Sequence, residues 1–196
     1  IGGLLGVFIY EYKRLAAPVM VVVNFLYTIP SISMLGLLLY VSGVGNTTAI
    51  IALVIYALLP MVRNTFTGLS QIDEAMCEAG IALGLTRMQR LWNIEIPLAM
   101  PTIMAGIRTM LVMTIALTGI ASFIGAGGLG VAIYRGITTN QSALTIAGSL
   151  LIALLAITVD ALFSLGERVT RISPHMKRYT IIFVSIMTII AMGIGG

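Results

Sequence analysis

Five apolar stretches, at roughly 16–42, 48–62, 98–122, 143–166 and 179–195, divide the chain, and charges and glycines collect between them. The hydrocarbon core of a bilayer, ~30 Å thick, takes about 20 helical residues to cross. Each stretch is therefore predicted to be a membrane-spanning helix, the second and fifth being short. Pro30 falls inside the first; it lacks a backbone donor and pushes Ile29 out of helical geometry, so this span is predicted to be kinked or broken there. Residues 1–9 are apolar as well and read as the tail of a preceding span, so the chain is expected to begin inside a longer polypeptide.

The longest polar interruption is the segment 70–97. Asp73 and Glu74 precede Met76, Cys77, Ile81 and Leu85, apolar positions close to helical spacing. Acids at a helix start favour the positive end of its dipole, and Ser70 or Asp73 can cap it. Gly84 tolerates positive φ where the chain must turn. A second short helix is predicted from about Arg87 to Glu95, carrying Trp92, until Pro97 opens the next span at a first-turn position. The result is a helix–turn–helix across one membrane face. An amphipathic segment resting on lipid, with Trp92 as interfacial anchor, is the rival reading. Lipid binding does not require turn geometry and helix register together.

Composition confirms the solvent. With 59% hydrophobic residues, 9% charged and a mean hydropathy of +1.07, the chain is far from the soluble average and reads as an integral membrane protein. One cysteine, Cys77, excludes an internal disulfide, and one histidine, His175, is too few for a zinc site. Lys13 and Arg14, then Arg63, Arg87 and Arg90, then Arg168, Arg171, Lys177 and Arg178 fall in alternate loops, whereas the loops 43–47 and 123–142 hold one base, Arg135. Excess Lys and Arg marks the cytoplasmic side. The 70–97 loop is therefore expected in the cytoplasm and the residue-196 end outside, where an exported domain is expected to follow.

Within that loop, Glu78-Ala79-Gly80, then Gly84, then Ile94 and Pro97 keep fixed spacing. The pattern resembles the EAA loop of ABC importer permeases, which runs E-A-A, three residues, G, nine residues, I-x-L-P. Gly80 stands where that pattern has its second Ala, and Ile96 where it has Leu. The resemblance implies a cytoplasmic knob whose shape is fixed by Glu78 and Gly84. Its exposed side chains, from about Ile81 through Leu85, Thr86 and Arg87 to Arg90, would then seat in a groove of an ATPase. The run Phe123 to Gly130, followed by Tyr134-Arg135-Gly136, looks like the external loop of permeases for glycine betaine, choline and related osmoprotectants. Methionine permeases share its glycine-rich part. Residues 24–30, 58–65 and 100–109 also match the osmoprotectant type.

The resemblance spans about residues 12–170 and implies the all-α MetI-like transmembrane fold, from which the extra span 179–195 departs. It places a permease domain at 1–170 and a cytoplasmic linker plus extra span at 171–196. It implies a multi-pass protein of the bacterial cytoplasmic membrane that is no enzyme itself. The implied partners are a second permease copy, two ATP-binding cassette subunits and an extracytoplasmic binding protein or fused domain. No nucleic acid is expected, and no cofactor in this chain; ATP and Mg²⁺ belong to the partner ATPase.

Arg108 is a costly residue for a span, and Asp160 is predicted to lie at similar depth, so the two are expected to pair or share a polar cavity. A quaternary ammonium group is held by aromatic faces. Tyr27, Tyr56, Phe123 and Tyr134 are path candidates, with Tyr40 available and Pro30 at the break. The glycines 125, 127, 128 and 130 suit a sharp re-entry or tight packing rather than phosphate, since no P-loop lysine follows. Glycine betaine, choline, carnitine and ergothioneine all fit as solutes. Methionine or another amino acid is the alternative, and an ion-driven carrier using Arg108 and Asp160 as a charge relay is the reading from another class. A membrane enzyme would need paired acids and bases that the spans lack.

Overall fold

The first four apolar stretches are helical in the structure, a computed structural model that describes residues 1–172. In chain order the helices are α1 (Gly2–Glu11), α2 (Lys13–Thr28), α3 (Ser31–Ser42), α4 (Asn46–Ser70), α5 (Glu74–Ala82), α6 (Arg87–Arg90), α7 (Ile96–Ala121), α8 (Gly130–Thr138) and α9 (Ser142–Ile172). A π-helical turn, Leu91–Glu95, joins α6 to α7, and a 3₁₀ turn, Ser122–Ile124, follows α7. Asn46–Ser70, Arg87–Ile124 and Ser142–Leu165 are each long and apolar enough to cross a bilayer, and the broken pair α2 and α3 supplies a fourth candidate. The predicted span 179–195, and the linker beyond Ile172, lie outside the described residues.

The first span is broken at the proline, as its sequence implies: α2 stops at Thr28, Ile29 is extended, and Pro30 starts α3 as its N-cap. Two elements differ from expectation. The second span does not end near residue 62; α4 continues through Arg63 and Asn64 to Ser70. Arg63 is exposed, and the Asn64 side chain donates to the Pro60 carbonyl at 2.8 Å, so neither polar residue has to leave the helix. The helix after Gly84 is not separate from the next span. It passes through the π turn into α7, and Pro97 sits in the second position of α7 rather than opening a new element. A proline ring crowds the carbonyl four residues earlier. The wider π turn makes room for it.

Residue contacts divide the chain into two units, one of Ile1–Ile29 with Val54–Met110, the other of Pro30–Leu53 with the described residues from Leu111. Membrane helices gain little from hydrophobicity against lipid and associate through close packing of small residues. The first unit follows that rule. An added Cβ at Gly2 would lie 2.7 Å from Met61 Cβ, and one at Gly6 would lie 2.6 Å from Thr65 Cβ, so α1 sits directly on α4. Between α4 and α7 the contact alternates, Gly68 facing Thr102 and Ala99, and Gly106 facing Asn64 and the Pro60 carbonyl. Leu69, Leu91 and Ala99 form a buried cluster against which Val7, Tyr10 and Ile72 pack.

In the second unit, α8 and α9 form a helical hairpin. Its turn closes with Asn140 at φ 53°, a left-handed position that asparagine accepts more readily than most residues. The Gln141 N–H reaches the Gly136 carbonyl at 2.8 Å. Ala49, Ala121 and Ala126 form a second buried cluster with Ile124 against it.

Candidate functional site

The 70–97 segment is a knee whose two limbs are fixed by capping chemistry. Asp73, not Ser70, is the N-cap of α5; its Oδ1 accepts from the Ala75 N–H at 3.0 Å. At the other end the Gly84 N–H donates to the Ile81 carbonyl at 2.9 Å and the Leu85 N–H to the Gly80 carbonyl at 3.1 Å. That pair of bonds needs a left-handed residue between them. Gly84, at φ 74°, is that residue. Thr86 then caps α6 in a reciprocal box with Gln89: the Thr86 N–H donates to Gln89 Oε1 at 2.9 Å and the Gln89 N–H to Thr86 Oγ1 at 3.4 Å.

Gly80 and Gly84 are thus glycines for different reasons. A Cβ at Gly80 would come within 2.9 Å of Ile94 Cδ1 and 3.2 Å of the Arg90 methylenes, where α5 presses on the second limb. Ile94 Cδ1 is the end of a movable side chain, so an alanine fits after a small shift. At Gly84 nothing lies within 4 Å, yet any L residue is strained by the positive φ, by about 1–2 kcal/mol.

Beneath the knee is a charge cluster that the sequence pattern did not single out. Glu95 is wholly buried. Its Oε1 accepts from Arg87 Nη1 at 2.9 Å and from Arg90 Nε at 2.8 Å, and the Cys77 thiol lies 3.9 Å away. Arg87 also grips Glu11, at the end of α1: Nε donates to Oε2 at 3.0 Å while Nη2 lies 2.8 Å from Oε1. The Arg87 guanidinium stands 5.5 Å from the Tyr10 ring centroid, within cation–π range. The Glu11 and Glu95 carboxylates compensate the partly shielded charge of Arg87. Burial, then the neighbouring Glu95 carboxylate, pushes the Cys77 thiol up, so it is a poor nucleophile.

The outer surface of the knee is different. Glu78 and Ala79 are exposed, and Glu78 makes no ion pair among the described residues. The bend is held by the Gly84 turn and by Glu95, not by the Glu78 side chain. Ile81 and Leu83 are 59% and 77% exposed, and Met88 and Trp92 are exposed too. The Trp92 indole N–H points at Met88 Sδ, 3.2 Å away. Leu85, Ile94 and Pro97 are half-buried.

The aromatic candidates fall into two pairs, one in each unit. Tyr27 and Tyr56 meet edge to face with centroids 6.0 Å apart, and the Tyr56 hydroxyl donates to the Ile29 carbonyl that the helix break leaves free. Phe123 and Tyr134 meet edge to face at 5.3 Å. Tyr40 is almost fully exposed and joins neither. Arg108 lies on α7 in the first unit and Asp160 on α9 in the second, both half-buried. The glycine-rich turn is built for re-entry: Gly125 and Gly128 have φ 79° and 93°, and Ser122 Oγ sits 2.9 Å from the carbonyls of both Gly119 and Gly130. No cluster of three or more metal-binding side chains occurs among the described residues.

Residues 1–172 match the family described as binding-protein-dependent transport system inner membrane component. The chain is 45% identical over 175 residues to the glycine betaine/carnitine/choline transport system permease protein OpuCD of Bacillus subtilis (strain 168), across 89% of this chain and 76% of that one. It is 43% identical over 166 residues to the ergothioneine transport permease/ergothioneine binding protein EgtU of Helicobacter pylori (strain G27), across 85% of this chain and 30% of that one. Among solved structures, an inward-facing conformation of the MetNI methionine ABC transporter superposes with a TM-score of 0.77 at 23% identity, across 87% of this chain and 85% of that one. At that identity the likeness establishes the fold alone.

Proposed function

The chain belongs to the binding-protein-dependent transport system inner membrane components, and from that membership we propose that it carries quaternary-ammonium, betaine-type solutes through an ATP-driven importer. It is a multi-pass inner-membrane permease subunit and not an enzyme; ATP hydrolysis belongs to a separate subunit, and a substrate-binding partner delivers the solute. Glycine betaine, carnitine, choline and ergothioneine, the solutes in the names of the two relatives, share a trimethylammonium group. That shared chemistry supports the class without choosing among its members. The binding protein is separate or joined to the permease, as the name of the Helicobacter relative joins the two. The three or four candidate spans among the described residues are too few to enclose a path, so the working unit is a pair of permeases with two ATPases.

The observation that carries the mechanism is the knee. A bent element braced from inside by Glu95, with Ile81, Leu83 and Met88 exposed on its outside, suits a docking knob. The excess of Lys and Arg on that face supports a cytoplasmic position for it. Seated in an ATPase groove, it would convert closure of two nucleotide sites into a change between inward and outward access. Leu83→Asp puts a charge where a groove must desolvate it, and is expected to reduce ATPase co-purification at least tenfold while leaving the permease in the membrane. Full retention of the ATPase would refute docking through this face.

The solute class is tested by uptake of radiolabelled choline into cells that lack other choline uptake and express the complete importer. Excess glycine betaine is expected to suppress uptake at least tenfold, excess methionine to leave it unchanged, and inactivation of the ATPase to abolish it. Suppression by methionine alone would assign the protein to amino-acid import. Uptake that survives ATPase inactivation would favour an ion-driven carrier.

A further inference from the structure

Glu11 and Arg87 are 76 positions apart in the chain and form an ion pair. Arg87 also bonds a second carboxylate, so that it joins Glu11 on α1 to the buried Glu95 on the π turn. We propose that Glu11 is a positioning residue for energy coupling: through Arg87 it ties the knee to α1, so that a displacement of the knee moves α1 and the part of α4 beneath it. The inference rests on the reading of the knee as the ATPase contact.

The argument is one of register. Apolar contact already holds α1 near the knee, because Val7 and Tyr10 pack on the cluster that contains Leu91. Such contact is non-directional and allows sliding. Arg87 adds one charge-assisted hydrogen bond, from Nε to Glu11 Oε2, with Nη2 in ion-pair contact with Oε1, and such a contact is directional where apolar packing is not. The second oxygen of Glu95 has no hydrogen-bond partner, so the restraint on that side runs through Oε1, chiefly through its Arg87 and Arg90 contacts.

Beyond Glu11 the path is stiff. Ile9 is wholly buried, and at Gly6 an added Cβ would meet Thr65 Cβ at 2.6 Å and the Val62 carbonyl at 3.0 Å. Helices in contact this close cannot shift along each other without opening. A knee that moves therefore takes α1 with it, and α1 takes α4, provided the Arg87–Glu11 fork holds. Cutting the fork should let the knee follow the ATPase while the helices lag behind.

The complete importer, reconstituted in liposomes with its ATPase and binding protein, tests this with radiolabelled glycine betaine. The readout is solute moved per ATP hydrolysed. Glu11→Gln removes the charge at nearly constant shape and is expected to lower that ratio about threefold, with the assembled complex and its ATPase rate retained. Glu11→Asp, which keeps the carboxylate, is expected to recover at least half of the loss. An unchanged ratio in Glu11→Gln overturns the proposal. So does a parallel fall of ATPase and uptake, since that means fewer intact complexes and a merely structural role. Wild-type uptake that ignores ATP would instead remove the underlying reading of the knee.

Discussion

Glu95→Ala is expected to leave almost no heat-resistant permease, whereas Glu78→Gln leaves stability unchanged. The contrast is informative because Glu78 belongs to the sequence pattern and Glu95 stands at a position that the pattern leaves open. Glu95 is 0% exposed and accepts from two guanidinium groups at 2.9 and 2.8 Å. Removing one partner of a buried ion pair costs about 3–5 kcal/mol, because the remaining charges lose their compensation. Here one partner is well shielded and the other partly solvated, with Arg90 13% and Arg87 44% exposed, so the lower end of that range applies. Glu78 is exposed and forms no ion pair among the described residues, and surface substitutions of that kind stay within about 0.5 kcal/mol. The measurement is the fraction of purified permease that stays monodisperse after graded heating. Glu95→Gln, which keeps an acceptor and loses the charge, belongs between the two. Glu95→Ala heating like the wild type would mean that the cluster does not hold the knee.

The same residue shows where the sequence stops being legible. The turn was readable because its determinants are local: Asp73 two residues from the N–H it caps, and Gly84 at the one position that needs a left-handed backbone. Pro30 was readable for the same reason, and of the two outcomes it allows, a kink or a break, the helix takes the break. Glu95 was not, because between Ile94 and Ile96 at the edge of a span a carboxylate looks like a solvated boundary residue. Its burial follows from α5 closing over Ile94 and Arg90 at Gly80, a long-range contact. The Glu11 contact depends on α1 returning to the knee, and no local rule specifies that.

The ends of α4 and α7 were misjudged because polar residues at a membrane boundary do not stop a helix. Arg63 can extend its charge outward and Asn64 bonds back to its own helix. Before Pro97 the helix survives by widening into the π turn rather than by ending. The family resemblance singled out the loop and assigned its shape to Glu78 and Gly84; Gly84 makes the turn, whereas Glu78 is exposed. Packing geometry, which the pattern does not encode, adds the buried Glu95.

Gly136→Ala is the second substitution with a large expected effect, and it tests the other unit. A Cβ at Gly136 would stand 2.3 Å from Thr145 Oγ1, 2.5 Å from the Thr145 backbone nitrogen and 3.0 Å from its Cα. The hydroxyl can rotate away; the backbone of α9 cannot. Alanine gains about 1 kcal/mol over glycine inside a helix. Overpacking against backbone costs up to about 3 kcal/mol or more, so the net effect is destabilising. The hairpin has to open at its closed end, where Gly136 also accepts the Gln141 N–H. Tyr134 lies two residues away, and its edge-to-face contact with Phe123 at 5.3 Å is expected to be lost. Gly127→Ala is the control, since nothing lies within 4 Å of its added Cβ and its φ is not positive. The heating assay should separate the two variants, and choline uptake should fall at least tenfold in Gly136→Ala alone. If both heat alike and transport alike, α8 and α9 are not in backbone contact at Gly136, and the Phe123–Tyr134 pair loses the scaffold that makes it a path candidate. If Gly136→Ala loses stability but transports normally per surviving molecule, the hairpin is a structural support and solute recognition lies elsewhere.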